Sequence, residues 1–228
     1  MDKKIVALLP IKTYSERVKK KNFREFCGKP LYTWVLDKLL KSKYISKIVI
    51  DTDSKYLLEI LDKKDDKIFL IERPDNLRGG LVPMNQIIHY DILQCEEKCF
   101  LQTHCTNPLL STETIDKTIE TYFNNLLEYD SLFTVNKIQK RLYNINLQPI
   151  NHNPNELLRT QDLEPIYEEN SNIFIFSKAS FENNNNNRIG KKPYLFEQNY
   201  LESLDIDTEE DFIIAESVYQ STSINFEC

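Results

Sequence analysis

Short runs of apolar residues alternate along this chain with stretches in which apolar residues recur every three or four positions. Uninterrupted runs of this length are typical of buried strands, and the three-to-four spacing is typical of amphipathic helices. The apolar runs lie at residues 5–9, 48–50, 68–71, 99–101, 132–135 and 173–176. Strands that alternate with helices predict an α/β fold, with a mostly parallel open sheet that helices flank.

The clearest helical stripe follows the first run. Leu31, Trp34, Val35 and Leu39 lie on one face directly after Pro30, a residue that the first turn of a helix tolerates. Later stripes lie at residues 87–92, 115–122 and 212–219. We expect each of them to form a helix that packs on the sheet.

The alternation stops between residues 136 and 167. This stretch is polar, contains three prolines and has weak periodicity. It is too long for a plain connection in a compact domain, so it is expected to have a task of its own, such as oligomerisation or covering a substrate. We therefore predict a single domain over residues 1–228, with an inserted arm at about 136–167.

Composition narrows the class of protein. The chain has 228 residues and a formal net charge of −6, which argues against a nucleic-acid polymer as its partner. No apolar run reaches membrane-spanning length, and the first run is too short for a signal peptide. We expect a cytoplasmic protein that does not contact a membrane.

Glycine and cysteine content excludes several kinds of site. The four glycines are too few and too scattered for a Walker loop or a dinucleotide-binding fingerprint. The five cysteines are an odd number without zinc-type spacing, so reduced thiols are expected. Any phosphate site must therefore use cationic side chains as well as loop amides.

A strongly basic loop follows the first predicted strand. Five cations fall within ten positions, namely Lys12, Arg17, Lys19, Lys20 and Lys21. Open α/β sheets bind their ligands beyond the carboxyl ends of their strands. Cations concentrated there favour a polyanion, and for a small enzyme we expect a nucleoside triphosphate.

An acidic segment near the end of the chain is the counterpart of the basic loop. Residues two apart on an extended segment point to the same side, so Asp205 and Asp207 are expected to present two carboxylates together. Two such groups, with room for waters and phosphates, suit Mg²⁺. Thr208 and Asp211 have the spacing of a capping box, so we interpret Asp211 as a helix cap.

Other polar clusters follow other predicted strands. Asp51 and Asp53 form a rival carboxylate pair, ranked second because Asp53 or Ser54 has a simpler role as an N-cap. Arg73 could reach a phosphate or a base. The neutral side chains at 102–108 suit recognition of a hydroxyl-rich molecule, and Thr106 or Asn107 among them could instead start a helix.

Two further features complete the candidate chemistry. Arg159, with Gln161 nearby, could meet a carboxylate through both arms of its guanidinium. His104 has no nucleophile and no orienting acid at a recognisable spacing, so we assign no catalytic triad.

These segments together resemble the cytidylyltransferases that activate acidic sugars, the acylneuraminate (CMP-sialic acid) synthetases, and more distantly the CMP-KDO synthetases. The matching segments, in the family's order, are 9–22, 28–31, 52–54, 73–74, 101–109, 159–162, Asn170 and 205–207. The chain differs at Thr13 and Tyr14, where the family has a pair of glycines. It also lacks a recognisable form of the family's His-Pro-aromatic-Lys segment around 139–143.

The resemblance implies a nucleotide-diphospho-sugar transferase-like fold and a homodimer built through the arm. It also implies a Mg²⁺-dependent reaction of CTP with an acidic 2-keto sugar, which gives a CMP-sugar and pyrophosphate. It assigns catalytic roles to Lys21, Arg17 and Asp207, substrate binding to Lys12, Ser15, Asn22, Arg73, Gln102, Arg159 and Gln161, and the metal to Asp205 and Asp207. The identity of the sugar is left open.

Two alternatives remain at this point. A glycosyltransferase could use an Asp-X-Asp motif to hold a nucleotide sugar, although that motif is expected in mid-chain, where this sequence has Gln102 and Thr103. The second alternative is a non-catalytic relative that only binds a nucleotide or a sugar. The absence of glycines from the basic loop leaves this alternative open.

Overall fold

The computed structural model describes residues 3–224, which form a mixed sheet of seven strands with helices on both faces. The strands are β1 (Ile5–Leu8), β2 (Glu25–Phe26), β3 (Lys29–Pro30), β4 (Ile45–Thr52), β5 (Ile68–Glu72), β6 (Cys99–Thr103), β7 (Ser131–Ile138), β8 (Ile166–Ser177) and β9 (Pro193–Glu197). The α-helices are α1 (Leu31–Lys41), α2 (Lys55–Leu61), α3 (Met84–Leu93), α4 (Thr112–Asn124), α5 (Lys178–Asn183) and α6 (Glu209–Ile224).

The large sheet has the strand order β5-β4-β1-β6-β8-β7-β9. All of its neighbours pair in parallel except β6 with β8 and β7 with β8, so β8 alone runs against the others. The predicted fold class, a mostly parallel open sheet flanked by helices, is confirmed. Each predicted apolar run lies within or overlaps one of these strands.

Helices cover both faces of the sheet because the strands carry apolar side chains on both sides. On one face Leu36, Leu57 and Ile115 bring α1, α2 and α4 onto the sheet, and on the other Ile88 and Phe181 bring α3 and α5. Burial of these side chains is the main source of stability. No helix in the described part of the chain is both long and apolar enough to cross a membrane.

A small third core lies beside the main sheet, and the sequence did not predict it. Strands β2 and β3 form a hairpin whose two turn residues, Cys27 and Gly28, both have positive φ, as a tight two-residue hairpin requires. Val18, Ile206 and Phe212 are buried against this hairpin. This core therefore joins the basic loop to the acidic segment and to helix α6.

The polar excursion is an extension of the β7–β8 hairpin. The two strands stay paired as far as Ile138 and Ile166, so its irregular part covers residues 139–165, a shorter stretch than the predicted 136–167. The difference arises because the polar strand ends pair through backbone groups, which hydrophobic periodicity does not report. The arm leaves from the same edge of the sheet as the basic loop.

Candidate active site

A cleft of about 330 Å³ lies at the carboxyl edge of the sheet, beyond the ends of β1, β5 and β6. Eight of the residues singled out from the sequence line it: Lys12, Ser15, Arg17, Lys21, Asn22, Arg73, Asp205 and Asp207. Cations and carboxylates that are far apart in sequence thus meet in one place. The position agrees with the rule that open α/β sheets bind ligands beyond the carboxyl ends of their strands.

A larger cavity, of about 820 Å³, lies at the opposite edge of the sheet, beside Cys99 at the start of β6. It is lined mainly by the residues that follow α4 and by α5. None of the candidate residues contributes to it. Size alone does not identify a site, and the convergent charged groups are in the smaller cleft.

The basic loop is held in place from below. Val18 is fully buried in the third core, and Lys20 adopts a left-handed conformation just before a short 3₁₀ turn at Lys21–Phe23. The Asn22 side-chain amide donates to the Lys12 backbone carbonyl at 2.8 Å. The loop is therefore fixed without the family's glycines, and its charged side chains extend into the cleft.

Two buried polar atoms beside this loop have no hydrogen-bond partner. They are the hydroxyl oxygen of Ser15 and the side-chain oxygen of Asn22. Buried polar groups in native proteins are nearly always paired, so orphans in a cleft indicate a place for a ligand or water. A serine hydroxyl can donate to a phosphate oxygen, which agrees with the role that the resemblance implies for Ser15.

The acidic segment docks onto the loop that follows β6. The backbone amide of Ile206 donates to the Thr106 carbonyl at 2.9 Å, and the Asn107 amide reaches the Leu204 carbonyl at 3.3 Å. Ile206 points into the third core and is fully buried. Its neighbours Asp205 and Asp207 consequently both face the cleft, as the two-residue spacing predicted.

Ion pairs cross the cleft between its two charged sides. Arg17 donates to the Asp207 carboxylate at 2.9 Å, although the two residues are 190 positions apart. The Lys21 ammonium lies 3.3 Å from the same carboxylate and also donates to the Ile206 carbonyl. The cationic loop and the acidic segment thus pair across the cleft.

The pair of Asp205 and Asp207 suits a hard cation that keeps most of its water ligands. Asp205 is open to the cleft, yet partial desolvation raises the pKa of its carboxyl, and repulsion from Asp207 acts in the same direction. The described residues contain no cluster of three or more side chains able to ligate a metal. Two carboxylates with open space suit Mg²⁺, which commonly takes its other ligands from water and phosphate.

The predicted cap of helix α6 is confirmed. The Asp211 carboxylate accepts from the backbone amide of Thr208 at 2.7 Å and from its hydroxyl at 2.8 Å. The Thr208 hydroxyl in turn accepts from the Asp211 amide at 3.2 Å, which completes the capping box. The backbone amide of Asp207 also donates to Asp211, so the cap orients the acidic segment.

Arg73 lines the cleft, but its charge is already paired. Its side chain is 4% exposed and forms an ion pair with Asp51, which is fully buried. Asp51 is therefore the counter-ion of Arg73, and the rival metal pair of Asp51 and Asp53 does not exist as a site. Asp53 instead accepts from Thr13 in the basic loop, and Ser54 is the N-cap of α2.

A second buried acid lies behind this pair. Burial, and then the charge of Asp51, raises the pKa of Asp91 well above its ordinary range. Burial also raises the pKa of Asp51, but the guanidinium of Arg73 opposes that effect. The raised pKa favours the protonated form of Asp91 over that of Asp51, and the three side chains form one buried network.

The neutral cluster after β6 provides no nucleophile. Burial lowers the pKa of His104 to about 3, so its imidazole is uncharged at neutral pH, and burial raises the pKa of the Cys105 thiol to about 12. Gln102 is fully buried and lies behind His104, with 3.3 Å between its amide nitrogen and the ring. The absence of a triad assignment agrees with this chemistry. The N-cap of the following helix is Ser111, not Thr106 or Asn107.

Arg159 and Gln161 do not join the other candidate residues. Both are exposed in the arm, and Arg159 forms a two-armed ion pair with Asp162, at 2.7 and 3.1 Å. The expected carboxylate partner of Arg159 is thus a neighbour in sequence. The position of the motif in the sequence does not specify where an irregular arm folds, and a binding role for Arg159 and Gln161 stays a prediction.

Comparison with known proteins assigns the chain to a family. The model described as cytidylyltransferase matches residues 6–226. The chain belongs to the cytidylyltransferase family. The resemblance inferred from the sequence motifs is confirmed, and the family is one of enzymes.

Relatives and a solved structure agree with this assignment. The chain is 25% identical over 230 residues to pseudaminic acid cytidylyltransferase from Campylobacter jejuni, a match that covers 95% of this chain and 97% of the relative. It is 28% identical over 228 residues to CMP-N,N'-diacetyllegionaminic acid synthase from Legionella pneumophila, with the same coverage. A CMP:2-keto-3-deoxy-manno-octonic acid synthetase solved with CTP superposes with a TM-score of 0.69 at 12% identity, over 96% of this chain and 99% of that one. The last likeness shows the fold.

Several residues of the cytidylyltransferase cleft were missed from the sequence. Gly79 and Gly80 line it opposite the basic loop, and Ser171 reaches it from a bulge in β8. The positive φ of Gly79 suits a residue without a side chain, and a double glycine in a glycine-poor chain was the available signal. Ser171 gave no comparable signal, because only strand pairing brings it to the cleft.

Proposed function

We propose that this cytidylyltransferase transfers the CMP part of CTP to the anomeric hydroxyl of an acidic, sialic acid-like 2-keto sugar and releases pyrophosphate, with Mg²⁺ as its cofactor. Family membership supports the cytidylyl transfer. The names of the Campylobacter and Legionella relatives support a sialic acid-like acidic sugar as the acceptor.

One observation carries the proposal. The basic loop and the acidic pair lie 190 residues apart in the chain, yet they face each other across a cleft in which Arg17 and Lys21 contact Asp207. A polyphosphate and its cation need both signs of charge at one place. A simple solvated turn or a helix cap would not require the two segments to meet.

The basic loop would act on the leaving group. Attack of the sugar hydroxyl on the α-phosphorus places negative charge on the departing pyrophosphate, and Lys21 and Arg17 are held where they can offset it. Such preorganised charges stabilise a transition state because they need no reorganisation as the charge develops. The Ser15 hydroxyl would add a neutral donor to the same group.

Asp205 and Asp207 would hold the Mg²⁺ ion. The ion supplies charge neutralisation and orientation of the phosphate oxygens. Asp207 would give up its ion pairs with Arg17 and Lys21 as the nucleotide enters, which frees both cations for the phosphates. The two sides of the cleft thus exchange partners rather than lose them.

Arg73 would act at the base. The ion pair with Asp51 fixes its guanidinium, so the cytidine would meet a rigid donor. We expect CTP to stabilise the protein against heat more than ATP, GTP or UTP does, in the presence of Mg²⁺. Equal stabilisation by all four nucleotides would contradict base selection at this site.

The deciding experiment measures pyrophosphate released from CTP and Mg²⁺ with sialic, legionaminic, pseudaminic and KDO acids in turn. Release with one acid supports the proposal and identifies the sugar. Nucleotide binding without release under any of these conditions supports a non-catalytic relative. Turnover of a CMP-sugar with an acceptor, without pyrophosphate release, supports a glycosyltransferase.

We also propose that the arm makes this protein a homodimer. Several large apolar side chains of the arm are exposed, namely Tyr143, Ile145, Leu147, Ile150 and Leu157. Clustered exposed apolar residues are typical of contact surfaces. The arm also leaves from the edge that carries the cleft, so a partner there would lie near the substrates.

Light scattering at micromolar concentration tests the dimer. We expect a dimer mass for the wild type and a monomer mass for the double variant Ile145→Glu, Leu157→Glu. The matched control is Leu127→Glu, which adds a charge at a fully exposed leucine away from the arm and should leave the mass unchanged. A wild-type monomer would refute the proposal.

A further inference from the structure

A second buried arginine lies beside the cleft, in a segment that the sequence did not mark. Arg188 follows helix α5, and its guanidinium lies over the ring of Phe174 at 3.5 Å from the ring centre. It donates to the side-chain oxygen of Gln102 at 2.5 Å. Gln102 and Phe174 are paired residues on β6 and β8, so the sheet itself supports the arginine.

The charge of Arg188 is poorly compensated. Its side chain is only 16% exposed, and the one carboxylate within 4 Å among the described residues is that of Glu169, at 3.9 Å. Burial lowers the pKa of Arg188 to about 10, which leaves it charged at neutral pH. Of the five N–H donors of a guanidinium, one makes a hydrogen bond here. A buried cation in this state is energetically costly unless an anion completes it.

Arg188 lies behind Gln102 and His104, in the wall of the cleft that the loop after β6 forms. The amide nitrogen of Gln102 is 3.3 Å from His104, and His104 lines the cleft. The charge of Arg188 is, after burial, the main factor that lowers the pKa of His104. Arg188 is therefore surrounded by the Gln102 amide, the Phe174 ring and, at 3.9 Å, the Glu169 carboxylate, with the uncharged imidazole of His104 beyond Gln102.

We propose that Arg188 determines specificity by binding the carboxylate of the acidic sugar, with Gln102 holding the guanidinium in position. This inference rests on the proposed function and names the group that it recognises. The planar, two-armed guanidinium matches a carboxylate, and the donors that Gln102 does not use remain for it. Arg188 would thus take the carboxylate-binding role that the sequence suggested for Arg159, from a loop that the sheet supports.

The test compares a sugar acid with its methyl ester, which has the same shape without the charge. The acid used is whichever of sialic, legionaminic, pseudaminic and KDO acids gives the fastest pyrophosphate release. For Arg188→Met we expect kcat/KM for the acid to fall by about 10- to 100-fold, as for a lost charge-assisted hydrogen bond, with little change for the ester. The affinity for CTP, measured by calorimetry, should not change.

Two further variants separate a specific role of Arg188 from a general loss of charge or of folding. Arg188→Lys keeps the charge but not the fork, so it should retain part of the preference for the acid and show that the site is still folded. Lys191→Met removes an exposed cation three residues away and should behave as the wild type. Equal losses for acid and ester, or a parallel loss of CTP affinity, would show that Arg188 is only structural and overturn the inference.

Calorimetry separates this inference from the proposed function. If the wild type releases no pyrophosphate with any acid, each acid and its ester are titrated into the wild type and into Arg188→Met. Binding that prefers the acid and is lost in the variant supports the role of Arg188 while catalysis fails. No preference for any acid in the wild type overturns both.

Discussion

Two arginine–aspartate pairs lie in the same cleft and differ in almost every physical respect. In the pair of Arg73 and Asp51 the side chains are 4% and 0% exposed, whereas in the pair of Arg17 and Asp207 they are 66% and 40% exposed. The first pair joins neighbouring strand ends. The second joins two loops from opposite ends of the chain. The same two residue types therefore form a fixed element in one place and an exchangeable one in the other.

Solvation explains the difference. A buried pair cannot separate without leaving a charge in a medium of low polarity, so it stays closed and keeps Arg73 oriented. An exposed pair is worth little in water, because hydration and salt compete with it, so it can open when a better partner arrives. The buried pair suits the recognition of one invariant group. The exposed pair suits a phosphate and metal site that must fill and empty in each cycle.

The largest expected effect is on stability, from Asp51→Ala. It leaves the guanidinium of Arg73 buried without a counter-ion, and we expect the free energy of unfolding to fall by about 3–5 kcal/mol. Urea denaturation followed by circular dichroism measures this loss. A loss below about 1 kcal/mol would mean that the two pairs are alike and that the comparison fails.

Asp207→Asn should have the opposite profile. The substitution keeps side-chain size but removes a carboxylate from the proposed metal site, so turnover should fall by a factor on the order of 10². The free energy of unfolding should change by less than about 1 kcal/mol, because the lost ion pair is exposed. Glu210→Gln, which removes an equal charge at an exposed position on α6, is the control and should keep full turnover. Normal turnover in Asp207→Asn would place the metal elsewhere.

A smaller effect is expected from Lys21→Ala. Loss of one charged donor to the triphosphate should lower kcat/KM for CTP by about 10-fold or more, with the melting temperature nearly unchanged. Lys19→Ala is the matched control, because Lys19 belongs to the same loop, is exposed and does not line the cleft. Equal effects of both variants on kcat/KM would indicate that only the overall charge of the loop matters.

The smallest effect at neutral pH is expected from Asp91→Asn, which replaces an acid of raised pKa by a neutral amide. The raised pKa of Asp91 means that the folded protein holds a proton that the unfolded chain releases near pH 4. Wild-type stability is therefore lost as pH rises from about 4 toward that raised pKa. Asp91→Asn lacks this loss, so its stability relative to the wild type should increase with pH. Urea denaturation of both proteins at pH 4, 5.5 and 7 measures the difference, and parallel curves would show that Asp91 is ionised in the folded state.

Much of the fold could be predicted from the sequence because most strands are apolar runs. Their order and direction then determine which distant segments meet. Once β1, β4, β5 and β6 are identified as parallel, the residues that follow them must meet at one edge, and that is where Lys21, Arg73 and Asp207 are found. The alternation of Asp205, Ile206 and Asp207 could likewise be predicted, since one hydrophobic residue between two acids can face only the core.

Other features could not be predicted because they depend on register and on short polar segments. The pairing of Arg73 with Asp51 requires that β5 align with β4 so that Ile71 faces Asp51, and nothing local to either strand specifies that alignment. Strand β9 begins with a proline, and its short apolar run at residues 194–196 did not stand out in the sequence. Arg188 follows five consecutive asparagines, a composition more typical of a surface loop than of the support for a buried cation.

The small core that contains Val18 and Ile206 has a consequence for synthesis of the chain. Ribosomes deliver the basic loop first, but the residue that holds it from below arrives about 190 positions later, near the end of translation. In a nascent chain, β1 and β4 can therefore be present before Ile206 is available to pack against Val18 under the basic loop. We therefore expect the proposed nucleotide site to be completed only after residue 206 has been synthesised.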